Sequence, residues 1–329
     1  MELIKCNSPE LWDQFVDESP QNSIFCKTQF LDALCVGYQT YFLLKDAKPI
    51  LGVIFIDEGV NGERTPFTGN LYQGLLFTAL KKSSIQSGIA SNLKVVESLL
   101  EIVKDSYQSI ELCLHHSFID LRAFQWFNYH APIKGRFDVD IRYTGVIYLD
   151  ESNDFSRYLD VIRSSRKQDY KNSIKNGFLV KECHSSSVFL DLYKKTFARQ
   201  KLKADEVFMQ TASRVIDAAI KGSFGRLCVS YTNEGIPASA SFFIYDNENA
   251  YYLLGATDPA FRNYGVGTHA ILENIRYIFE EKKIYKVDML GINSPNRGDY
   301  KTSFNATLHP YYTVRWDRPH SNDKAHYTL

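Results

Sequence analysis

Two stretches in the second half of this 329-residue sequence combine residue type and spacing in a way suited to binding charge. The run Phe261-Arg262-Asn263-Tyr264-Gly265-Val266-Gly267-Thr268 leads directly into the apolar-periodic segment HAILENIRYIFEE. Glycines let a main chain approach an anion closely, and the unpaired amides and positive dipole end of a helix then hold it. Upstream, Arg163, Lys167, Lys171 and Lys175 step by four, so on a helix they form one basic stripe with Ile162 and Ile174 off it. That stripe is read either as a solvated face or as one turned to phosphate or nucleic acid.

The elements that must position the glycine loop are legible around it. An apolar strand from Tyr251 to Leu254 precedes it and another, Ile284 to Leu290, follows, so the amides fall where a strand hands over to a helix. The same order occurs upstream. A strand over Tyr41 to Asp46, the turn DAKP, a return strand ILGVIFID, a strand LYQGLLFT, a helix from about Ser91 to Ser106 and a strand SIELCL match RLCVSYT, the turn NEGIP, ASASFFIYD, AYYLLGAT, the helix after Gly267 and YKVDML. Both passages read as a hairpin, a third strand, a helix and a fourth strand, which predicts a mixed α/β (α+β) unit used twice. Ahead of the first helix stands Lys81-Lys82-Ser83-Ser84-Ile85-Gln86-Ser87-Gly88, without paired glycines, so anion binding is expected in the second copy alone.

The strand RYTGVIYLD opens the second unit, which places a boundary near Arg142 and domains at 1–142 and 143–316, with a polar tail at 317–329. After it, Asn153 and Asp154 are positioned to cap one helix running to Asn176, with Gly177 as its stop.

Composition narrows the class of protein. With 38 basic and 38 acidic residues, the chain lacks the charge excess of a protein that coats DNA or RNA. The apolar fraction of 44%, including 22 Phe and 21 Tyr, supplies a packed interior. No apolar run reaches the length of a membrane span and the first residues lack a secretion signal, so the expected location is cytoplasmic. Cys6, Cys26, Cys35, Cys113, Cys183 and Cys228 are scattered without a CxxC pair and read as small thiols, mostly buried, rather than ligands or disulfides. The adjacent His115 and His116 have no acidic or cysteine partner at ligand spacing, so no metal site is expected.

In its strand-loop-helix context, Arg262-x-x-Gly265-x-Gly267 resembles motif A of the GNAT acyltransferase superfamily. The segment from Asp288 to Asn305, with its K-x-x-F element Lys301-Thr302-Ser303-Phe304, resembles the end of the second domain in FemAB-like, double-GNAT transferases. The basic run RSSRKQDYKNSIKNG and the join DLRAFQWFNY…RYTGVIYLD extend the resemblance over most of the chain. It implies tandem GNAT-like domains, each a mixed sheet flanked by helices, with a degenerate donor site in the first. It also implies N-acyl transfer from acyl-CoA, such as acetyl-CoA, as co-substrate rather than tightly bound cofactor.

The acceptor implied is an amine on a small molecule, in the family a nucleotide-linked amino sugar or a cell-envelope or polysaccharide precursor. Alternatives are a FemX-like aminoacyl-tRNA-dependent transferase, with tRNA as partner, and a non-catalytic GNAT-like binding scaffold.

The resemblance assigns roles residue by residue. Arg262, Asn263, Tyr264, Gly265, Val266, Gly267 and Thr268 would hold the donor pyrophosphate, and the amides of Leu253 to Thr257 would lie beside its pantetheine arm. Asp288 is read as a base for the amine proton or as a strand-end carboxylate holding a loop. Lys301 is read as a cation for a phosphate or the developing oxyanion, or as an exposed lysine on a short helix. Arg166 would contact acceptor phosphate. Asn293, Ser294 and Arg297 would meet the acceptor or simply form a polar turn, while Tyr300, one of 21 tyrosines, is not singled out as the acid for a leaving thiolate.

Overall fold

The computed structural model describes residues 1–35, 37–56, 71–79, 85–150, 154–198 and 202–319. Along the chain run β1 (Glu2–Lys5), α1 (Pro9–Glu18), α2 (Thr28–Leu34), β2 (Tyr38–Lys45), β3 (Lys48–Ile56), β4 (Leu76–Phe77), α3 (Ile85–Val103), β5 (Ser109–Cys113), α4 (Arg122–Trp126) and β6 (Asp138–Tyr148). Then come α5 (Phe155–Val161), α6 (Ser164–Lys175), β7 (Leu179–Glu182), α7 (Ser186–Ala198), α8 (Glu206–Lys221), β8 (Gly225–Tyr231), β9 (Pro237–Tyr245), β10 (Asn249–Thr257), α9 (Val266–Glu280), β11 (Lys286–Asp288), α10 (Pro295–Thr302) and β12 (Thr307–Asp317).

Two compact units emerge: Met1–Thr28 with Val36–Arg142 and Pro310–Leu329, and Gln29–Cys35 with Tyr143–His309. Residues 310–316, placed with the second half from sequence, therefore group with the first unit. There β12 pairs antiparallel with β5, from Thr313 opposite Cys113 to Asp317 opposite Ser109, and so contributes Val314 and Trp316 to the first core.

In the first unit β1, β2, β3 and β4 form an antiparallel sheet, and its core gathers Leu43, Leu51, Leu99, Leu112 and Phe124. The expected strand LYQGLLFT is reduced to Leu76–Phe77, while β5 takes β12 as ladder partner. Lys81 to Ser84, ahead of the helix, lie outside the described residues, as do Asn153 and tail positions 320–329.

The second unit has its strands in the order β6-β11-β10-β9-β8-β7, antiparallel except for β10 and β11. The parallel pair is the one joined by α9, as a strand-helix-strand crossover requires. Every β9 residue from Ala238 to Tyr245 is buried, so both faces of the sheet are covered. Asn274 ties α9 to one face by donating to the carbonyl and hydroxyl oxygens of Ser241 at 3.0 and 2.8 Å. Ile271, Ile275 and Ile278 fill the core beneath with Phe243 and Val287.

The single helix expected from residue 153 to 176 is two. Asp154 caps α5 by accepting from the Arg157 amide at 2.9 Å. The chain is then extended at Ile162 and Arg163, with ψ of 157° and 140°. Burial of Ile162 and a bond from the Arg163 amide to the Ser303 carbonyl at 3.0 Å outweigh helix propensity there. Arg163 therefore leaves the basic stripe, which begins at Lys167.

Candidate functional site

β10 and β11 pair only over Asn249–Lys286, Ala250–Val287 and Tyr251–Asp288. Beyond Tyr251 β10 stays with β9 as far as Thr257, through a bulge at Leu253, while β11 stops. A bulge re-aims the strand, and the edge of β10 past Tyr251 has no second strand partner among the described residues. The gap lies at the sheet end that receives the glycine loop.

Asp288 makes β11 stop. Its Oδ1 accepts from the Leu290 amide at 2.8 Å and from the Thr144 hydroxyl. This side-chain turn holds Leu290 at φ 50°, followed by Gly291 at φ 45°. The bent main chain presents the Met289 and Leu290 carbonyls to Lys301, whose Nζ donates to them at 2.6 and 3.2 Å. The same Nζ lies 4.6 Å from the centroid of the Tyr252 ring. Tyr252 is wedged in place by Gly255: a β-carbon built on that glycine would lie 1.9 Å from the Tyr252 hydroxyl. Burial first, then the Arg297 charge, push the Lys301 ammonium down to about 7, against a raising contribution from Asp288.

The glycine loop is a short 3-10 turn, Pro259–Tyr264, capped by Asp258 and ending at Gly265 with φ 77°. Arg262 and Asn263 are exposed, and Tyr264 packs on Phe178 with ring centroids 5.5 Å apart. α6 crosses this loop. A β-carbon on Gly265 would sit 2.2 Å from the Asp169 carbonyl oxygen, whereas one on Gly267 would meet the Thr257 hydroxyl at 3.3 Å and the Ser239 hydroxyl at 3.6 Å. Gly265 is thus required by backbone packing, and Gly267 is the glycine whose β-carbon position faces side-chain hydroxyls.

Arg166 belongs to this same cluster. Its Nη1 is 2.9 Å from the Asp169 carboxylate and 3.3 Å from the Thr268 hydroxyl, and its guanidinium lies 4.7 Å over the Tyr300 ring. Thr268 in turn donates to Asp169 at 3.0 Å and lies 3.2 Å from the Tyr300 hydroxyl. The Arg166 Nε is buried without a hydrogen-bond partner. Burial holds the Tyr300 phenol above its ordinary value, with lesser opposing effects from Thr268 and Arg166. One anionic and one cationic side chain thus flank the first turn of α9, where amides lack intrahelical partners.

Asn293 is exposed but turned onto β6: it accepts from the Tyr143 amide at 2.8 Å and donates to the Tyr143 carbonyl at 3.1 Å, fastening the loop to that strand. Ser294 starts α10 without a side-chain capping bond, and Arg297 is exposed on that helix. Arg163 pairs with Asp299 at 2.8 Å and Lys167 donates to the Asp160 carbonyl at 2.7 Å, leaving Lys171 and Lys175 as the exposed members of the stripe.

Several participants carry no sequence signal of their own. Asp169 reads as one more polar residue among lysines, and Thr196, which donates to the Thr257 carbonyl and accepts from its amide, lies 61 positions away. His115, read as non-ligating, has its Nδ1 2.7 Å from the Ser117 hydroxyl. Among the described residues no group of three or more His, Cys, Asp or Glu is placed to hold a metal ion. No helix among them is long and apolar enough to cross a membrane.

Residues 177–302 match the family model of the acetyltransferase (GNAT) domain. The fold is similar to that of FemX, at 12% identity and TM-score 0.69 over 95% of this chain and 97% of that one. It is also similar to a tandem GNAT protein from the clavulanic acid biosynthesis pathway, at 11% identity and TM-score 0.53 over 98% and 99% of the two chains. L-PGS from Bacillus licheniformis gives 11% identity and TM-score 0.55 over 95% and 93%. A search of curated proteins finds no match. The molecule has a GNAT, FemAB-like fold. The matched acetyltransferase domain supports an acyltransferase.

Proposed function

We propose that the chain is an N-acyltransferase that moves an acyl group from acyl-CoA to the amine of a small molecule. The observation that carries this reading is Lys301: two of its N–H groups are committed to the Met289 and Leu290 carbonyls beside the open edge of β10. As an ammonium it retains a third N–H for oxygen charge that develops when the amine attacks a thioester carbonyl. Lys301 then acts as the cation expected from sequence, and Asp288 acts as the carboxylate that shapes its surroundings.

The residues around α9 fit a bound pyrophosphate. Gly267 presents bare backbone beside the Ser239 and Thr257 hydroxyls, the first-turn amides of α9 lack intrahelical partners, and Arg166 offsets the Asp169 carboxylate that would otherwise repel phosphate. The thioester supplies the activated acyl carbon. The protein's part is to hold donor and amine in line and to exclude water. Tyr300, kept protonated by burial, would supply the proton taken up by the leaving thiolate. Arg297 and Ser294 on α10 would meet an anionic acceptor.

Calorimetric titration tests the donor. Acetyl-CoA should bind and raise the melting temperature, and Gly267→Val should abolish the shift. Absence of binding by CoA and acetyl-CoA at millimolar concentration would remove this donor.

Fold similarity to FemX and the exposed Lys171 and Lys175 favour aminoacyl-tRNA as the second reading. It requires salt-sensitive tRNA binding that weakens when both lysines are neutralised.

A further inference from the structure

The first unit carries a surface that the chemistry above does not use. From Ile119 to Arg136 the chain forms α4 and a single 3-10 turn at Pro132–Lys134. This segment is fastened from beneath. Phe118, Ala123, Phe124, Phe127 and Phe137 are buried in the core, with Phe124 and Phe127 edge-on to Phe137 at 5.1 and 5.3 Å. Asn128 closes the loop by donating to the Lys134 and Gly135 carbonyls at 3.2 and 2.7 Å.

The outward face is apolar. Ile119 is 78% exposed, Ile133 68%, Trp126 58% and Tyr129 44%. Trp126 and Tyr129 stack with ring centroids 4.2 Å apart and planes 6° from parallel, and the Arg136 guanidinium lies 4.9 Å over Tyr129. Arg122, Lys134 and Arg136 are exposed with them. The segment's one carboxylate, Asp120, already accepts from Arg122 at 2.8 and 2.6 Å. Three cations less one carboxylate leave a formal charge of +2 on residues 119–136, in a chain of net charge zero. Beyond it on β6 stand Asp138 and Asp140, the latter paired with Arg142 at 2.8 Å.

Such a face would expose apolar area to water for no folding benefit, on a base too firmly packed to hide it by collapse. Aromatic rings with polar tips, bulky aliphatic side chains and flanking cations together suit the boundary between lipid headgroups and acyl chains. Stacking on nucleic acid bases would use the rings but leave Ile119 and Ile133 in water. We propose that residues 119–136 seat the first unit reversibly on an anionic membrane surface, with Trp126 and Ile133 entering the interface and Lys134 and Arg136 meeting the headgroups.

Of the three tryptophans, Trp12 and Trp316 are buried, so Trp126 is the exposed reporter. The full chain is mixed with vesicles of phosphatidylglycerol and phosphatidylcholine and, separately, of phosphatidylcholine alone. Expected are co-sedimentation with the anionic vesicles, a blue shift of emission and quenching by brominated acyl chains. Lys134→Gln and Arg136→Gln should each weaken binding about fivefold. Trp126→Ala with Ile133→Ser should weaken it roughly tenfold or more, at unchanged far-ultraviolet circular dichroism. Trp126→Phe should retain most of it. The proposal is overturned by absence of both pelleting and emission shift, or by binding that survives the Trp126/Ile133 double change. Self-association or RNA-oligonucleotide binding through these residues, without vesicle binding, overturns it equally.

Discussion

The main-chain carbonyl of Asp169 fills the space that a side chain on Gly265 would need, 2.2 Å from the position of its β-carbon. Helix α6 and the start of α9 are thereby packed backbone against backbone, and the two glycines of one motif separate into different roles.

Gly265→Ala should therefore behave as a stability variant. It combines φ of 77° with a backbone clash, for an expected loss of roughly 2–4 kcal/mol in urea unfolding. Gly267→Ala meets only side-chain hydroxyls at 3.3 Å and beyond. It should cost about 1 kcal/mol or less while weakening donor binding by calorimetry, and equal destabilisation by the two changes would refute the distinction.

Lys301 should set a pH limb. If the ammonium carries the chemistry, kcat with a pre-deprotonated acceptor falls as pH rises through about 7, and Lys301→Arg moves that limb out of range while Lys301→Met lowers kcat by roughly a hundredfold. An activity that instead rises through the same pH would assign the neutral amine as a base.

The same shift makes a stability prediction of definite sign. Between about 7 and the ordinary 10.5, the unfolded chain holds a proton that the folded chain has released, so this group makes stability increase with pH across that window. Replacing it by Met should help folding more at pH about 6 than at pH about 9, as read from urea midpoints; a pH-independent difference would contradict the assignment.

Asp288→Asn keeps an oxygen able to accept from Leu290 and Thr144, so activity should stay within about fivefold and stability within about 1 kcal/mol. Asp288→Ala leaves the turn unsupported and should lose about 1–3 kcal/mol. A large drop in kcat for the Asn variant with normal stability would restore the general-base role.

Arg166→Met strands the Asp169 carboxylate beside the α9 amides. Donor affinity should fall about tenfold or more, and adding Asp169→Asn should recover much of it. A double variant no better than the single one would show that Arg166 contacts the donor in its own right.

Periodicity and turn residues were sufficient for the strand-helix-strand crossover and the hairpin at β2 and β3, because those are local patterns of 2.0 and 3.6 residues. They were insufficient at Ile162 and Arg163. There a buried side chain and the Ser303 carbonyl, about 140 residues away in the chain, compete with a helix whose local propensity is adequate. Lys301 and the glycines were singled out from motif context, whereas Asp169 and Thr196, which the structure sets beside them, were not, since nothing near them in the chain encodes their partners.

From residue order alone come the α/β class and the strand-helix-strand frame, both consequences of short-range geometry, while Lys301 stood out through the K-x-x-F resemblance. Only the tertiary structure decided that Gly265 lies against the Asp169 carbonyl, that Asn293 fastens the loop to β6, and that Lys301 is partly buried beside two carbonyls. Those are contacts between segments distant in sequence, and burial, which lowers the Lys301 ammonium, exists only once they meet.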